Sequence, residues 1–505
     1  MQKSDVPTAM PLQTEQQKVA HLLRRFGLGA SEAEIECYGK EGLKGAIDRL
    51  LDFKNVDEGF AVPIEALSNN NGFVNMRALQ VWWYARLVAT RRPLQEKLTL
   101  FWHDHFATSA AKVDVPRAMY AQLETLRANC NGKFLTLLTE VSKDPAMLYW
   151  LDNQFNVKGK PNENFAREVM ELFTLGIGHY TEKDIQEVAR AFTGWSYGTG
   201  PRGIQLEKPA RNARFVLREN QHDSGVKTLL GNSGPFSGED VLGILVGNPR
   251  TSEYIALKMW EWFAYPNPEP AVLARLSSKF RNSGLDIAVL VRAIMESPEF
   301  YSDKAARKIY KNPVDFCIAS LRSLGVGSRM MAAAVVNEEG RIPLTALAPA
   351  AAAMNATKAM GMELLWPPDV AGWDGGAAWI SSATMVERIK WADRADQVGR
   401  PSVRRASAWW RGRQRGPSRF RTLPCREPLR RRLPVGCRPD ASQRVRRGDA
   451  GGQDPTAGEG RPGRVRGRGH RAERESGRPD CVQTAVRRAR ISVHLRVRQR
   501  STVIP

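Results

Sequence analysis

The sequence contains no apolar run of the roughly 18 residues that a membrane-spanning helix needs, so no transmembrane helix is expected. Its first residues, MQKSDVPTAMPLQTEQQ, lack an apolar core segment, so no secretory signal is visible. No Cys-x-x-Cys occurs. Cys37, Cys130 and Cys317 are widely separated, which argues against a zinc site or a disulfide framework and favours buried free thiols. No glycine-rich loop ends in Lys-Ser/Thr. GNSGPFSG (231–238) is a cluster of turn residues, and H-E-x-x-H is absent. P-loop nucleotide chemistry and zincin chemistry are therefore without a motif. No internal repeat period is seen.

Lysine is also missing, but only from one part of the chain. Residues 401–505 contain 28 Arg, 8 acidic residues and no Lys, a net of +20 within the whole-chain +22. Residues 1–400 then hold 47 basic and 45 acidic residues, a net of +2. The body is near neutral, so its charge gives no support to nucleic-acid binding. The tail also carries 12 Gly and 10 Pro without apolar periodicity, and is expected to be disordered. One reading is an Arg-rich nucleic-acid tail. The other is translation in the wrong frame, because GC-rich codons read out of frame give Arg, Gly and Pro and almost never Lys. The second reading is preferred. The expected organisation is a flexible 1–20, a helical domain over 21–397 that is truncated at its C-terminal end, and a tail over 398–505.

What is present in the body is helix after helix. Ser31 with Glu34 spells a capping box, Met76–Thr90 is strongly apolar, and Pro93 stands at a helix start. Residues 195–230 are rich in turn formers around the extended Arg214–Leu217, which predicts a small β-hairpin. The fold class expected is mainly α, a multi-helix domain with one β-hairpin insertion near 195–230.

The densest polar cluster lies on the helix predicted over 162–175. Asn164, Glu168 and Glu171 share one stripe, and Glu163, Arg167 and Glu171 an adjacent one. A Glu-Arg pair four residues apart is an ordinary ion pair. Two inward carboxylates beside it could serve as acid and base or hold a hard metal; a solvated helix face is the competing reading. A short turn would make 181–192 an antiparallel neighbour, so Asp184 and Glu187 could converge on Glu168 and Glu171. Neither of these two helices carries the Glu-x-x-His pattern of di-iron bundles. His103-Asp104-His105 is a second cluster: on a helix the two imidazoles diverge, on a strand they could share a metal. His222-Asp223, followed by Lys227, is a third, able to cooperate only through a turn. The Trp366-Pro367-Pro368 loop with Trp373 and Trp379 reads as core plugging, with ligand stacking as the alternative.

Six stretches carry a resemblance: HLLRRFGLG (21–29), LTLFWHDHFATS (98–109), the block NENFAREVMELFTLGIGHYTEKDIQEVARAFTGW (162–195), HDSGVKTLLG (222–231), ESPEF (296–300) and LLWPPDVAGWDGG (364–376). Over about 20–395 the chain resembles the bacterial family called domain of unknown function 1800. The resemblance implies a predominantly helical fold with no established activity. It places His103–His105 on a helix, with His105 at the motif position. It also implies frequent export and a sulfatase-like protein as a neighbour and partner. The chain departs from the family in showing no export signal and in its Arg-rich end. The expected site is thus a cleft joining His105, Glu163, Arg167, Glu168, Glu171, His222 and Asp223. Of these, His105, Glu168, Glu171, His222 and Asp223 are the candidates for a divalent metal. The reaction expected is metal-assisted or acid–base hydrolysis of a polysaccharide or sulfated ester. The alternatives are a non-enzymatic partner of a sulfatase-like protein and nucleic-acid binding by the tail.

Overall fold

The computed structural model describes residues 12–69, 71–200, 208–209 and 212–399. The tail expected over 398–505 lies outside the described side chains. Among the described residues there are 18 α-helices and two separate two-stranded hairpins. None of the helices is long and apolar enough to cross a membrane.

Local chemistry fixes many of the helix starts. Thr14/Gln17, Ser31/Glu34, Thr181/Asp184 and Ser237/Asp240 each form a reciprocal capping box, satisfying two otherwise unpaired N–H groups. Proline occupies the first turn of the helices starting at 93, 116, 145, 249, 270 and 313, where its missing N–H costs nothing. The first helix, Glu15–Phe26, starts inside the stretch expected to be flexible.

The apolar side chains gather into two cores. One contains Phe26, Phe101, Trp102, Phe173, Trp195 and Trp260. The other contains Trp82, Trp83, Tyr84, Cys317, Leu365 and Trp391. The Pro93–His105 helix feeds both, with Phe101 and Trp102 in the first and Leu100 in the second. A helix buried on every side must settle its own polar groups. Here Glu96 accepts from Arg127 Nε at 2.6 Å, Lys97 Nζ donates to Asp315 at 2.6 Å, and Trp102 Nε1 donates to the Cys130 carbonyl at 2.8 Å. The last turn of this helix lies where the two cores meet, and the site is built there.

Two expectations change. The 195–230 region holds one hairpin, Trp195–Gly198 antiparallel to Arg214–Leu217, and a second follows, Lys227–Leu229 with Asn232–Gly234. The second turns on Leu230 and Gly231, both at positive φ, the signature of a tight two-residue hairpin turn. Three-residue strands leave almost no alternation in a sequence, which is why the second was missed. Cys130 and Cys317 are free and buried, as expected, but Cys37 is disulfide-bonded.

Candidate functional site

The helix Glu163–Glu171 opens on Asn162, whose side chain accepts from the Asn164 N–H at 3.0 Å. Phe165, Ala166, Val169 and Met170 are buried, which leaves Glu163, Arg167, Glu168 and Glu171 at the boundary. Arg167 pairs with Glu163 at 3.4 Å and with Glu182 of the next helix at 2.7 Å. These partly exposed ion pairs staple the two helices together. The helix then widens: Leu172 and Phe173 N–H both donate to the Glu168 carbonyl, at 2.9 and 3.0 Å, and Leu175 N–H reaches back five residues to Met170. Gly176 and Gly178, both at positive φ, complete the turn.

This turn presents Glu171 to Tyr180, whose hydroxyl donates to the carboxylate in a short bond. It also turns the Phe173 carbonyl toward His105 Nε2, 3.2 Å away. Nε2 must therefore carry the proton, and the buried Nδ1 is left without a partner. Burial, helped by the charge of Lys258, pushes the His105 pKa well down, so the ring is neutral. His103, two residues earlier, faces elsewhere: its Nε2 accepts from the Leu365 N–H at 3.1 Å, and burial lowers its pKa to about 3. The two imidazoles diverge, as helical spacing requires. Asp104, between them, accepts from the Trp373 N–H at 2.9 Å. Burial raises its carboxyl to about 6, opposed by that bond and by Lys258.

The loop that reaches back to Asp104 carries the residue missing from the sequence-based set. Asp369 is close enough to Glu168 that its charge raises the Glu168 pKa. Its own Oδ1 accepts from the Ala371 N–H at 2.8 Å. Glu168 is raised to about 7, first by burial and then by Glu171, with Asp369 adding to it and Arg167 opposing. Three carboxylates from two distant segments thus share one boundary patch, and one of them is poised to exchange a proton near neutral pH. Tyr254 completes the patch. Its ring lies 6.4 Å from that of His105, and burial lifts its hydroxyl pKa to about 12. Lys258 lies 5.8 Å over the Tyr254 ring.

His222 and Asp223 do not join this group. His222 Nδ1 lies 2.9 Å from the Thr193 carbonyl and donates to it. Asp223 binds Arg190 Nε at 2.9 Å, and this bond foremost holds its carboxyl down at about 2. Lys227 Nζ donates to the Asp223 and Gly225 carbonyls at 2.6 and 3.0 Å. Together they fasten the second hairpin to the Glu182–Ala191 helix. Asp184 and Glu187 serve the same purpose: Asp184 caps its helix and accepts from Leu230 N–H, and Glu187 binds Arg190 and Thr228 N–H. The five metal candidates are therefore not gathered. Among the described residues no group of three or more His, Cys, Asp or Glu is arranged to hold a metal ion. Trp379 is only 8% exposed, and Trp366 and Trp373 pack on the second core, so the Trp/Pro loop is no exposed aromatic platform. Cavities of about 300 and 310 Å³ lie elsewhere, beside Glu15–Lys40 and beside Phe316–Asp396.

The one sequence signal for Asp369 is its place after Pro-Pro in LLWPPDVAGWDGG, among more conspicuous tryptophans. Tyr254 and Lys258 carried none beyond sharing a helix face.

Gly372 holds the Asp369 loop in place. Its φ is +87°, and a Cβ there would sit 2.5 Å from the Asp104 carbonyl oxygen and 2.6 Å from its Oδ1. Gly372→Ala should cost about 1–3 kcal/mol in chemical unfolding. It should also shift Glu168 back toward ordinary carboxylate behaviour, read by NMR titration. Gly375→Ala, at negative φ with open space around it, is the control and should change neither.

A family model described as Protein of unknown function (DUF1800) matches residues 21–454, a span that runs past the change of composition near 397. No curated protein and no solved structure matches the chain.

Proposed function

The chain belongs to the family whose model spans residues 21–454, a family of unknown function, and from that premise we propose that it is an acid–base hydrolase working through Glu168 and Glu171, with a polysaccharide or one of its esters as substrate. The observation that carries this is Glu168, half-buried beside two further carboxylates, with its pKa raised to about 7. A protonated carboxyl at neutral pH can give its proton to a leaving oxygen. Glu171, hydrogen-bonded by Tyr180, is the partner that takes a proton from water. The balance closes: water adds across the scissile bond, one proton leaves Glu168 for the departing oxygen, and one from water reaches Glu171. The diverging imidazoles and the separate His222–Asp223 turn support the acid–base version over a metal-assisted one.

The test begins with stability, which needs no substrate. Glu168 has a folded pKa above its unfolded value, so the folded state holds its proton more tightly. Its contribution is full below about pH 4.5 and is lost as pH rises through about 7. Wild type should therefore lose stability over that window relative to Glu168→Gln, in chemical denaturation at a series of pH values. A difference that stays flat from pH 4 to 8 would sink the assignment. Hydrolysis of alkyl glycosides and alkyl esters, whose poor leaving groups need an acid, follows, and turnover that the Gln variant retains in full would do the same.

A further inference from the structure

Arg250, Tyr254 and Lys258 stand at i, i+4 and i+8 on the Pro249–Phe263 helix and so form one stripe. The stripe lies along the turn that ends the Glu163–Glu171 helix. Arg250 Nε donates to the Leu175 carbonyl at 3.0 Å. The edge of Tyr254 lies so close to Gly176 that a Cβ there would be 3.1 Å from its Cδ2. Lys258 comes last, level with Asp104 and His105, and interacts electrostatically with both. A lysine buried for structure is normally settled by a partner, as Lys97 is by Asp315. Lys258 is half-buried against Tyr254, yet among the described residues it has neither an ion pair within 4 Å nor a hydrogen bond. The Nδ1 of His105, wholly buried in the same neighbourhood, is also unpartnered. A donor group with three unspent N–H bonds and an open acceptor thus lie at one end of the carboxylate patch. Burial lowers the Lys258 pKa, and the charges of Asp104 and Glu261 oppose that shift.

Resting on the acid–base reading of the same site, we propose that Lys258 is its specificity residue, pairing with an oxyanion substituent, a sulfate or a carboxylate, carried by the substrate. Tyr254 walls the subsite and Arg250 braces the wall. The substrate class is then an anionic polysaccharide or ester, with the scissile bond at Glu168 and Glu171 and the anionic group at Lys258.

Binding of inorganic sulfate and of acetate is measured on the full chain by thermal shift, with ionic strength held by sodium chloride so that general salt effects cancel. At about ten times Kd, one of the two should raise the midpoint of wild type by about 1–2 °C. The larger shift identifies the oxyanion. Lys258→Met keeps the stem packed on Tyr254 and should abolish the shift; Lys258→Arg should retain it. Lys258→Gln is the second neutral variant if the Met protein does not fold. Glu168→Gln should keep the shift in full, so that failure of the anion subsite and failure of the acid–base assignment are read separately. Absence of a shift in both wild type and Glu168→Gln, or an undiminished shift in the neutral Lys258 variants, would overturn the proposal.

Discussion

Glu168→Gln should lower kcat/KM by about 10²–10⁴-fold on a substrate with a poor leaving group, with kcat falling in proportion. Gln has the same shape and no charge, so it resembles the protonated acid in every respect except that it has no proton to give. Binding of substrate should change little, because the lost interaction exists only in the transition state. The signature that separates this from a structural effect is the leaving group. An aryl substrate whose phenol is strongly acidic departs without help, and its loss should be far smaller than that of an alkyl substrate. The pH profile gives a second signature. Wild type should lose activity on the alkaline side of about pH 7, where Glu168 gives up its proton, and the variant should have no such limb. Equal losses on all leaving groups, with the alkaline limb unmoved, would remove Glu168 from the chemistry. Glu171→Gln is the complement: as the base, its loss should fall on good and poor leaving groups alike.

The parts of this site that sequence could reach were the local ones. Glu163, Arg167, Glu168 and Glu171 lie within nine residues, so helical spacing alone placed them on adjacent stripes, and the 3.4 Å Glu163–Arg167 pair follows from it. The divergence of His103 and His105 was equally local. Asp369 was out of reach because its approach to Glu168 depends on a loop returning across the last turn of the Pro93–His105 helix, anchored by Asp104 and permitted by the positive φ of Gly372. The sequence of that helix misleads about which face meets which partner, because its polar stripe, with Glu96, Thr99 and His103, is buried along with its apolar side. The His222–Asp223 pair illustrates the reverse error. The two residue types suit catalysis, but Thr193 and Arg190, from another element, already satisfy them. The mainly α class was legible in the sequence because helix starts are written locally, in capping boxes and first-turn prolines.

The largest effect on stability should come from Glu96→Ala, about 3–5 kcal/mol in denaturant unfolding. Glu96 is fully buried in the Pro93–His105 helix. It accepts from Arg127 Nε at 2.6 Å and Nη2 at 3.2 Å, and from Trp83 Nε1 at 3.1 Å, while Arg86 Nε lies 3.1 Å away. Glu58, 2.6 Å from Arg86, and Glu124, bound to Arg127, complete the network. Both guanidinium groups also lie over the Trp82 ring, at 5.2 and 5.5 Å. Removing the Glu96 side chain leaves an indole N–H without an acceptor, and buried Arg127 and part-buried Arg86 short of a counter-charge. Glu96→Gln should cost less, since it keeps the shape and part of the hydrogen bonding. The pH dependence has the opposite sign to that of Glu168. Burial alone would raise the Glu96 pKa, but Arg127 and Arg86, with the hydrogen bonds, hold it below the ordinary carboxylate value. Its contribution is therefore complete above about pH 4.5 and is lost as pH falls through the folded pKa. The gap between wild type and Glu96→Ala should be constant from neutral pH down to about 5 and close in more acidic solution. The gap between Glu168→Gln and wild type should instead open as pH rises toward 7. Two glutamates, one held by cations and one crowded by carboxylates, should thus bend the same stability curve from opposite ends, and a titration that bends it from only one end would show which of the two environments has been misassigned.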